Sequence, residues 1–280
     1  MPTIQALKKK LRGIRSTQKI AQAMKTASTV KFSKLNSIYD EYSKYSEEYR
    51  SLYLDYSAEY NSHFAAKNTD APICLIVITA NKGMCGNFNS QMLKFVDELL
   101  NNSKEQYLLV ACGKKAENHF EQREIKVEEA FTFSDIPKYE EAYELFSYIT
   151  SALKSGKISA AKIAYPEYSN MMSQTPTLCD LFAANDDKKT TKEKIAPLYF
   201  PDKDAVISGT ADKLMAAFIF AKILETALGA QAATLLTMRS AYDTASEYSV
   251  KLESEINRKR QSQVTADVIE TSTEYSQENE

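Results

Sequence analysis

LMAAFIFAKILETALGAQAATLLTMRSAYDTASEYSVKLESEI, residues 214–256, decides the architecture of this chain. Leu214, Ala217, Ala221, Leu224, Leu228, Gln231, Leu235, Met238, Tyr242, Ala245, Ser249, Leu252 and Ile256 follow one another by alternating steps of three and four. Only Gln231 and Ser249 interrupt the apolar stripe with polar groups. An alternation sustained this long keeps one face turned to a partner helix, which is the signature of a coiled-coil seam. The competing reading is an ordinary core helix, and globular helices average only about 11 to 12 residues.

A partner stripe stands at the other end of the chain. Leu7, Ile14, Ala21, Ser28, Leu35, Tyr42, Tyr49 and Tyr56 recur every seventh residue. Ile4, Leu11 and Gln18 accompany them early, and Thr17, Met24, Lys31, Ile38, Tyr45 and Leu52 later, so the companion row is expected to change sides near Gln18 to Met24. Tyr39, Tyr42, Tyr45, Tyr49, Tyr53, Tyr56 and Tyr60 form a broad stripe, expected to pack its rings against other parts of the chain while the hydroxyls keep polar partners. No proline falls between Pro2 and Pro72, or after Pro201. Helices over 3–60 and 210–275 would be rods of roughly 87 and 100 Å. A compact domain built from the residues between them would be only about 40 Å across. Both rods must then project from it, and since the middle returns the chain from one to the other, the expected pairing is antiparallel.

The middle, 70–205, alternates strand and helix patterns. Ile73 to Thr79 is an unbroken apolar run, Ser90 to Leu100 reads as a helix, Tyr107 to Cys112 as a second strand, and Lys114 to Gln122 as a short helix. Tyr139 to Lys154 is a helix with Ala142, Leu145, Phe146, Ile149 and Leu153 on one face, and Ile158 to Tyr165 is a third strand. This order points to a partly parallel sheet covered on its faces.

Between the first strand and its helix lies ANKGMCGNFNSQ, residues 80–91, a glycine loop in the position that cradles phosphates in other folds. The spacing fits neither GxxxxGK[ST] nor GxGxxG, and Lys82 precedes the glycines instead of following them. Nucleotide binding and a tight turn at positive φ both remain open on chemistry alone.

Composition narrows the classes. The four cysteines form no CxxC pair and there are two histidines, so a structural zinc site is not expected and the thiols read as reduced, in an intracellular protein. No run of 18 or more apolar residues occurs, so no membrane span is expected. The net charge of −2 hides an asymmetry: residues 1–39 carry nine Lys and Arg and no acid, whereas 40–60 are rich in acid. Such a segment is an interaction surface. It also has the composition of a mitochondrial presequence, but the helical pattern continues to about Tyr60 without a cleavable break. No paired carboxylates, Ser-His-Asp pattern or metal cluster marks a catalytic site.

Four stretches carry a resemblance. STQKIAQAM (Ser16 to Met24), NKGMCGNFN (Asn81 to Asn89), MSQTPT (Met172 to Thr177) and INRKRQSQVTADVIE (Ile256 to Glu270) are similar, in order and spacing over nearly the whole chain, to motifs of the gamma subunit of F-type ATP synthases. Asn81 stands where that family usually has Asp. Asn87 stands where a small residue is common, and its tolerance of positive φ would preserve the turn. Thr271 to Glu280 is polar and acidic where the family usually ends in small apolar residues.

The resemblance implies an α/β chain: a long antiparallel coiled coil of N- and C-terminal helices plus a small Rossmann-like domain, divided as shaft 1–68, foot 69–205 and shaft 206–280. It implies a rotor in the hexameric ring of alpha and beta subunits, with the foot on the c-ring beside the epsilon subunit, at the cytoplasmic face of a bacterial plasma membrane. Ion flow would turn the shaft, and nucleotide and Mg²⁺ would belong to alpha and beta, so no cofactor, metal or catalytic residue is expected on this chain. In that frame the glycine loop shapes a turn and binds no nucleotide. Met24 and Lys25, with Arg260, Gln261 and Thr265, match the family's contacts with beta, and Pro197 to Asp202 would form part of the foot at the c-ring. Two rivals explain less. A nucleic-acid binder accounts for the basic helix but leaves the seam idle, and a coiled-coil scaffold accounts for the rods but not the middle.

Overall fold

The computed structural model describes residues 3–55, 63–182, 200 and 202–277. The elements run α1 (Ile4–Asp55), β1 (Ile73–Ile78), α2 (Phe88–Asn102), β2 (Tyr107–Cys112), α3 (Lys114–Gln122), β3 (Val127–Phe131), α4 (Tyr139–Ser155), β4 (Ala160–Asn170), β5 (Ser173–Asp180) and α5 (Lys203–Gln277). The helices expected at the two ends are there, at 52 and 75 residues. Neither contains proline, whose missing N–H and ring clash would kink a helix. Tyr56 and Tyr60 lie outside the described residues, as do the side chains of Tyr49, Leu52 and Tyr53 and most of the Pro197–Asp202 stretch.

The chain divides into two compact units, residues 1–28 with 235–280, and residues 29–234. In the first, α1 and α5 pair along their seams. Leu7, Leu252 and Ile256 are buried together, with Ile4, Leu11 and Ile14 packed against them. Lys10 Nζ lies 5.4 Å from the Tyr248 ring centroid and Lys25 Nζ 5.4 Å from that of Tyr242. Contacts that climb α1 thus descend α5, and the pair is antiparallel. Ala21, Ser28, Met238, Ala245 and Ser249 are buried on the same seam, where small side chains let the helix backbones approach. Ser249, read from sequence as an interruption, fits for this reason.

In the second unit the sheet order is β3-β2-β1-β4-β5, parallel through β4, with β5 antiparallel on its edge. The two faces of β1 are buried differently. Cys74, Ile76 and Ile78 join Leu145, Ile149 and Leu153 of α4, Leu35 of α1, and Leu214, Ile219, Ile223, Leu224 and Leu228 of α5. Leu75 and Val77 face Met92 and Val96 of α2 and Ala116 and Phe120 of α3. A strand covered on both faces has no polar side to show, which is why residues 73–79 read as a continuous apolar run.

α5 satisfies both readings of its sequence. From Ile207 to Leu228 it is a core helix, buried on several sides by the sheet, α4 and α1; from Met238 to Ile256 the buried positions narrow to the stripe 238, 245, 249, 252 and 256, flanked by the half-buried 241, 242, 246 and 253. By length and composition α5 is apolar enough to cross a membrane, yet 78% of its most apolar window is buried inside the protein.

Several expectations are corrected. The companion row on α1 does not change sides: Ile4, Leu11, Gln18, Lys25, Phe32 and Tyr39 are all partly covered, and Met24, Lys31 and Ile38 join them, so the covered stripe broadens. Tyr45 is 46% exposed. β3 and β5 escape a hydrophobicity search because edge strands bury one face at most and tolerate charge and proline. Pro166 and Pro176 face each other across β4 and β5. Neither has an N–H, so this must be a pair that exchanges no ladder hydrogen bonds. The third strand expected at Ile158 to Tyr165 runs instead from Ala160 to Asn170, extended by its pairing with β5.

Candidate functional site

The glycine loop joins β1 to α2, and its geometry is that of a turn tied down on all sides. Left-handed φ occurs at Met84 (63°) and Gly86 (61°). Asn87, expected to exploit such freedom, sits instead at φ −89° as the residue before α2. Met84, 62% exposed, carries the left-handed conformation in its place. Asn89, on the first turn of α2, staples the loop. Its Oδ1 accepts the Ala80 N–H at 2.9 Å, and its Nδ2 donates to the Lys82 carbonyl at 3.3 Å and to Cys85 Sγ at 3.1 Å. Burial pushes the Cys85 thiol up from its ordinary value, so the sulfur stays a protonated, unreactive packing group.

The start of α3 is closed by the same loop. Gly113 has no side chain to cap it, so Thr79 Oγ1 accepts the Ala116 N–H at 3.0 Å and Asn81 Oδ1 accepts the Lys114 N–H at 3.2 Å. Two donors that could have faced an anion are therefore engaged within the chain. Asn81 Nδ2 also donates to the Phe133 carbonyl, a bond that an ionised aspartate in its place could not make. Gly113 is required here: at φ 104° its added Cβ would stand 2.3 Å from the Thr79 carbonyl oxygen.

In an open sheet that starts from a central strand, ligands gather at the carboxyl ends where the strand order reverses, here between β1 and β4. That crevice is filled by α5. Ala230 packs on Cys85 and Phe88, and Gly229 lies under the Phe88 ring, where a Cβ would come within 3.1 Å of it. The hollow remaining between the loop, the 133–137 segment and α5 has a volume of about 60 Å³. Among the described residues, no group of three or more His, Cys, Asp or Glu is placed to hold a metal ion.

A second polar cluster ties α5 to the sheet. Glu225 is 5% exposed; its Oε1 accepts the Tyr168 N–H of β4 at 2.8 Å and its Oε2 accepts from Lys222 Nζ at 3.1 Å. Lys222 also donates to the Tyr165 hydroxyl at 2.8 Å and lies 4.3 Å from that ring's centroid. Burial, and then the nearby Glu225 charge, push the Tyr39 hydroxyl up to about 12.

The residues matched to a partner contact all lie in the coiled-coil unit. Met24 is half-buried on α1, and Lys25 is half-buried with its ammonium over Tyr242. Arg260, Gln261 and Thr265 are exposed on α5, and the Thr265 hydroxyl donates back to the Gln261 carbonyl at 2.9 Å. The fold does not gather the two groups into one site. Lys25 lies beside Tyr242, and Arg260 is about 27 Å farther along the same helix. Lys8, Lys9, Lys10, Arg12, Arg15 and Lys19 are all exposed, and Arg15 bonds Glu253 at 2.7 Å. Sequence reasoning missed Thr79 and Asn89 as loop fasteners, the Glu225 cluster, and Asp135. Only Asn89 had a signal, its place in the glycine motif.

The chain is similar to known proteins along its whole length. The family model described as ATP synthase matches residues 3–273. The ATP synthase gamma chain of Pelotomaculum thermopropionicum is 26% identical over 96% of this chain and 97% of its own length. That of Nocardia farcinica is 27% identical over 96% and 95%. Among solved structures, a chain of the Euglena gracilis mitochondrial ATP synthase (OSCP/F1/c-ring, rotational state 3) superposes with a TM-score of 0.67 at 15% identity, covering 95% of this chain and 91% of that one. A chain of the Tetrahymena thermophila mitochondrial ATP synthase central stalk/c-ring superposes with a TM-score of 0.60 at 17% identity, covering 79% and 99%. The structural likenesses agree on the fold, and the family match, spanning all but the ends of the sequence, means that this chain belongs to the ATP synthase gamma-chain family.

Proposed function

We propose that this chain is the central-stalk rotor subunit of an F-type ATP synthase. In this reading α1 and α5 form the shaft inside the alpha–beta hexamer, and the α/β part is the foot on the c-ring beside the epsilon subunit. The functional division is shaft 1–68, foot 69–205 and shaft 206–280. Rotation couples ion flow to ATP synthesis or hydrolysis, and the chain itself is non-catalytic. It is a peripheral subunit at the cytoplasmic face of a bacterial plasma membrane. Met24, Lys25, Arg260, Gln261 and Thr265 meet the beta subunits.

One observation carries the reading: the antiparallel α1–α5 pair has an apolar seam, and its α1 strand over residues 1–39 carries exposed basic side chains and no acid of its own. Such a surface favours an acidic partner through contacts that form and break easily, since exposed ion pairs are worth about 0 to 1 kcal/mol each. The test is co-expression with alpha and beta subunits. The expected result is a stoichiometric particle whose ATP hydrolysis depends on this chain. Reversing Lys8, Lys9, Lys10 and Arg12 to Glu should impair its assembly or coupling. Recovery of the chain alone, without effect on hydrolysis, would favour a coiled-coil scaffold with no ATPase partner.

A further inference from the structure

Asp135 lies in the turn between β3 and α4, far in sequence from the two lysines that reach it. Lys31 Nζ, from α1, and Lys82 Nζ, from the glycine loop at 2.7 Å, both donate to its Oδ2. Lys82 also reaches Oδ1 at 3.1 Å. The carboxylate is 31% exposed and Lys31 36%, so the pair is partly shielded from water. The two ammonium groups hold the Asp135 carboxyl below its ordinary value. Beneath it lies the small hollow lined by Asn81, Lys82, Pro137 and, from α5, Ala227, Ala230 and Thr234. Asp135 therefore stands where α1, the β1–α2 loop and the β3–α4 turn converge over α5. Other carboxylates with two basic partners differ in what they join. Asp97 takes His119 and Arg123, both at one short helix, and Glu128 takes Lys126 and Lys157, neither on a long helix.

We propose that Asp135 is a positioning residue for torque transfer, a clamp through which Lys31 and Lys82 make the glycine loop and the α/β foot turn with helix α1. This rests on the central-stalk reading. The loop already packs on α5 through Cys85 and Ala230, and its fasteners Asn89 and Asn81 tie it to α2, α3 and the Phe133 carbonyl, so the Lys31–Asp135–Lys82 bridge is what adds a polar tie to α1. A load applied at the foot and resisted at the shaft must cross the joint between them. That joint is already apolar where Leu35 of α1 and the core stretch of α5 pack on the sheet, and two charge-assisted hydrogen bonds on one carboxylate stiffen its loop side.

The test uses the full chain, alone and assembled with alpha, beta, epsilon and the c-ring in sealed vesicles. Asp135→Asn, Asp135→Glu and the pair Lys31→Gln with Lys82→Gln are compared with the parent. Amide hydrogen exchange at residues 80–87 reads the clamp itself; the ratio of ions pumped to ATP hydrolysed reads its consequence. Asp135→Asn and the lysine pair are expected to speed exchange in the loop about fivefold. They should also lower the pumping ratio while hydrolysis persists, and Asp135→Glu should restore both. Exchange unchanged by Asp135→Asn overturns the clamp whatever the assembled enzyme does. Faster exchange with an unchanged pumping ratio overturns its role in torque. If the parent chain supports neither assembly nor pumping, the central-stalk reading fails and the torque role with it, while the exchange data still report the local clamp separately.

Discussion

Replacing Glu225 by alanine probes how α5 is fixed to the sheet. The carboxylate side chain is 7% exposed and Lys222 17%. Deleting one member of a buried pair typically costs about 3–5 kcal/mol, because the remaining charge has lost both water and partner. Lys222 is not wholly abandoned here, since the Tyr165 hydroxyl at 2.8 Å and its ring at 4.3 Å stay in place. A desolvated cation–π contact recovers about 1–2 kcal/mol. The orphaned Tyr168 N–H adds a penalty of its own, so the expected net cost is about 2–4 kcal/mol. Glu225→Gln keeps an acceptor for Tyr168 and should cost about half as much. The assay is native-state amide exchange at Tyr168 together with urea unfolding. Glu225→Ala should raise exchange at Tyr168 by about 30-fold or more. Either variant should also lower the Tyr39 titration from about 12, because the carboxylate charge opposes a second anion beside it. Exchange at Tyr168 within about twofold of the parent, with an unchanged unfolding midpoint, would show that Glu225 is solvated and the argument wrong.

Three further outcomes are expected. Gly113→Ala forces a side chain into left-handed backbone against the Thr79 carbonyl and should cost at least about 2–3 kcal/mol; a melting temperature within about 2 °C of the parent would contradict this. Leu35→Ala, at a fully buried heptad position, should cost about 2–5 kcal/mol, whereas Ile20→Ala, at a position 55% exposed, should stay within about 0.5 kcal/mol. Similar unfolding midpoints for the two would refute the burial of this α1 row in the core. The Asp135 carboxyl is depressed in the folded chain, so its contribution is fully present above the unfolded value of about 3.9 and is lost as pH falls through the lower folded value. Protection of residues 80–87 should therefore be flat across neutral pH and fall only in acid, and a loss of protection between about pH 5 and 8 would rule the clamp out as its source.

Much of this protein was legible in its sequence. The heptad rows fixed two long helices and their seam, because a helix buries what recurs every three or four residues whatever the partner is. The strands covered on both faces, β1 and β2, were legible for a related reason, since full burial leaves no polar alternation to confuse the reading. The sequence alone did not show where α5 stops being a core helix and becomes one strand of a coiled coil. Its apolar rows run through both halves, and only the neighbours present on each side distinguish them. Nor did it show β3, β5 or the fasteners of the glycine loop. An edge strand is defined by the ladder it joins. Thr79, Asn81, Asn89 and Asp135 act on backbone or side chains up to 104 residues away. Local periodicity determined the rods and the central strands. Which polar side chain meets which distant partner was decided by tertiary packing, because a hydrogen bond or ion pair needs two groups brought together and the chain carries them apart.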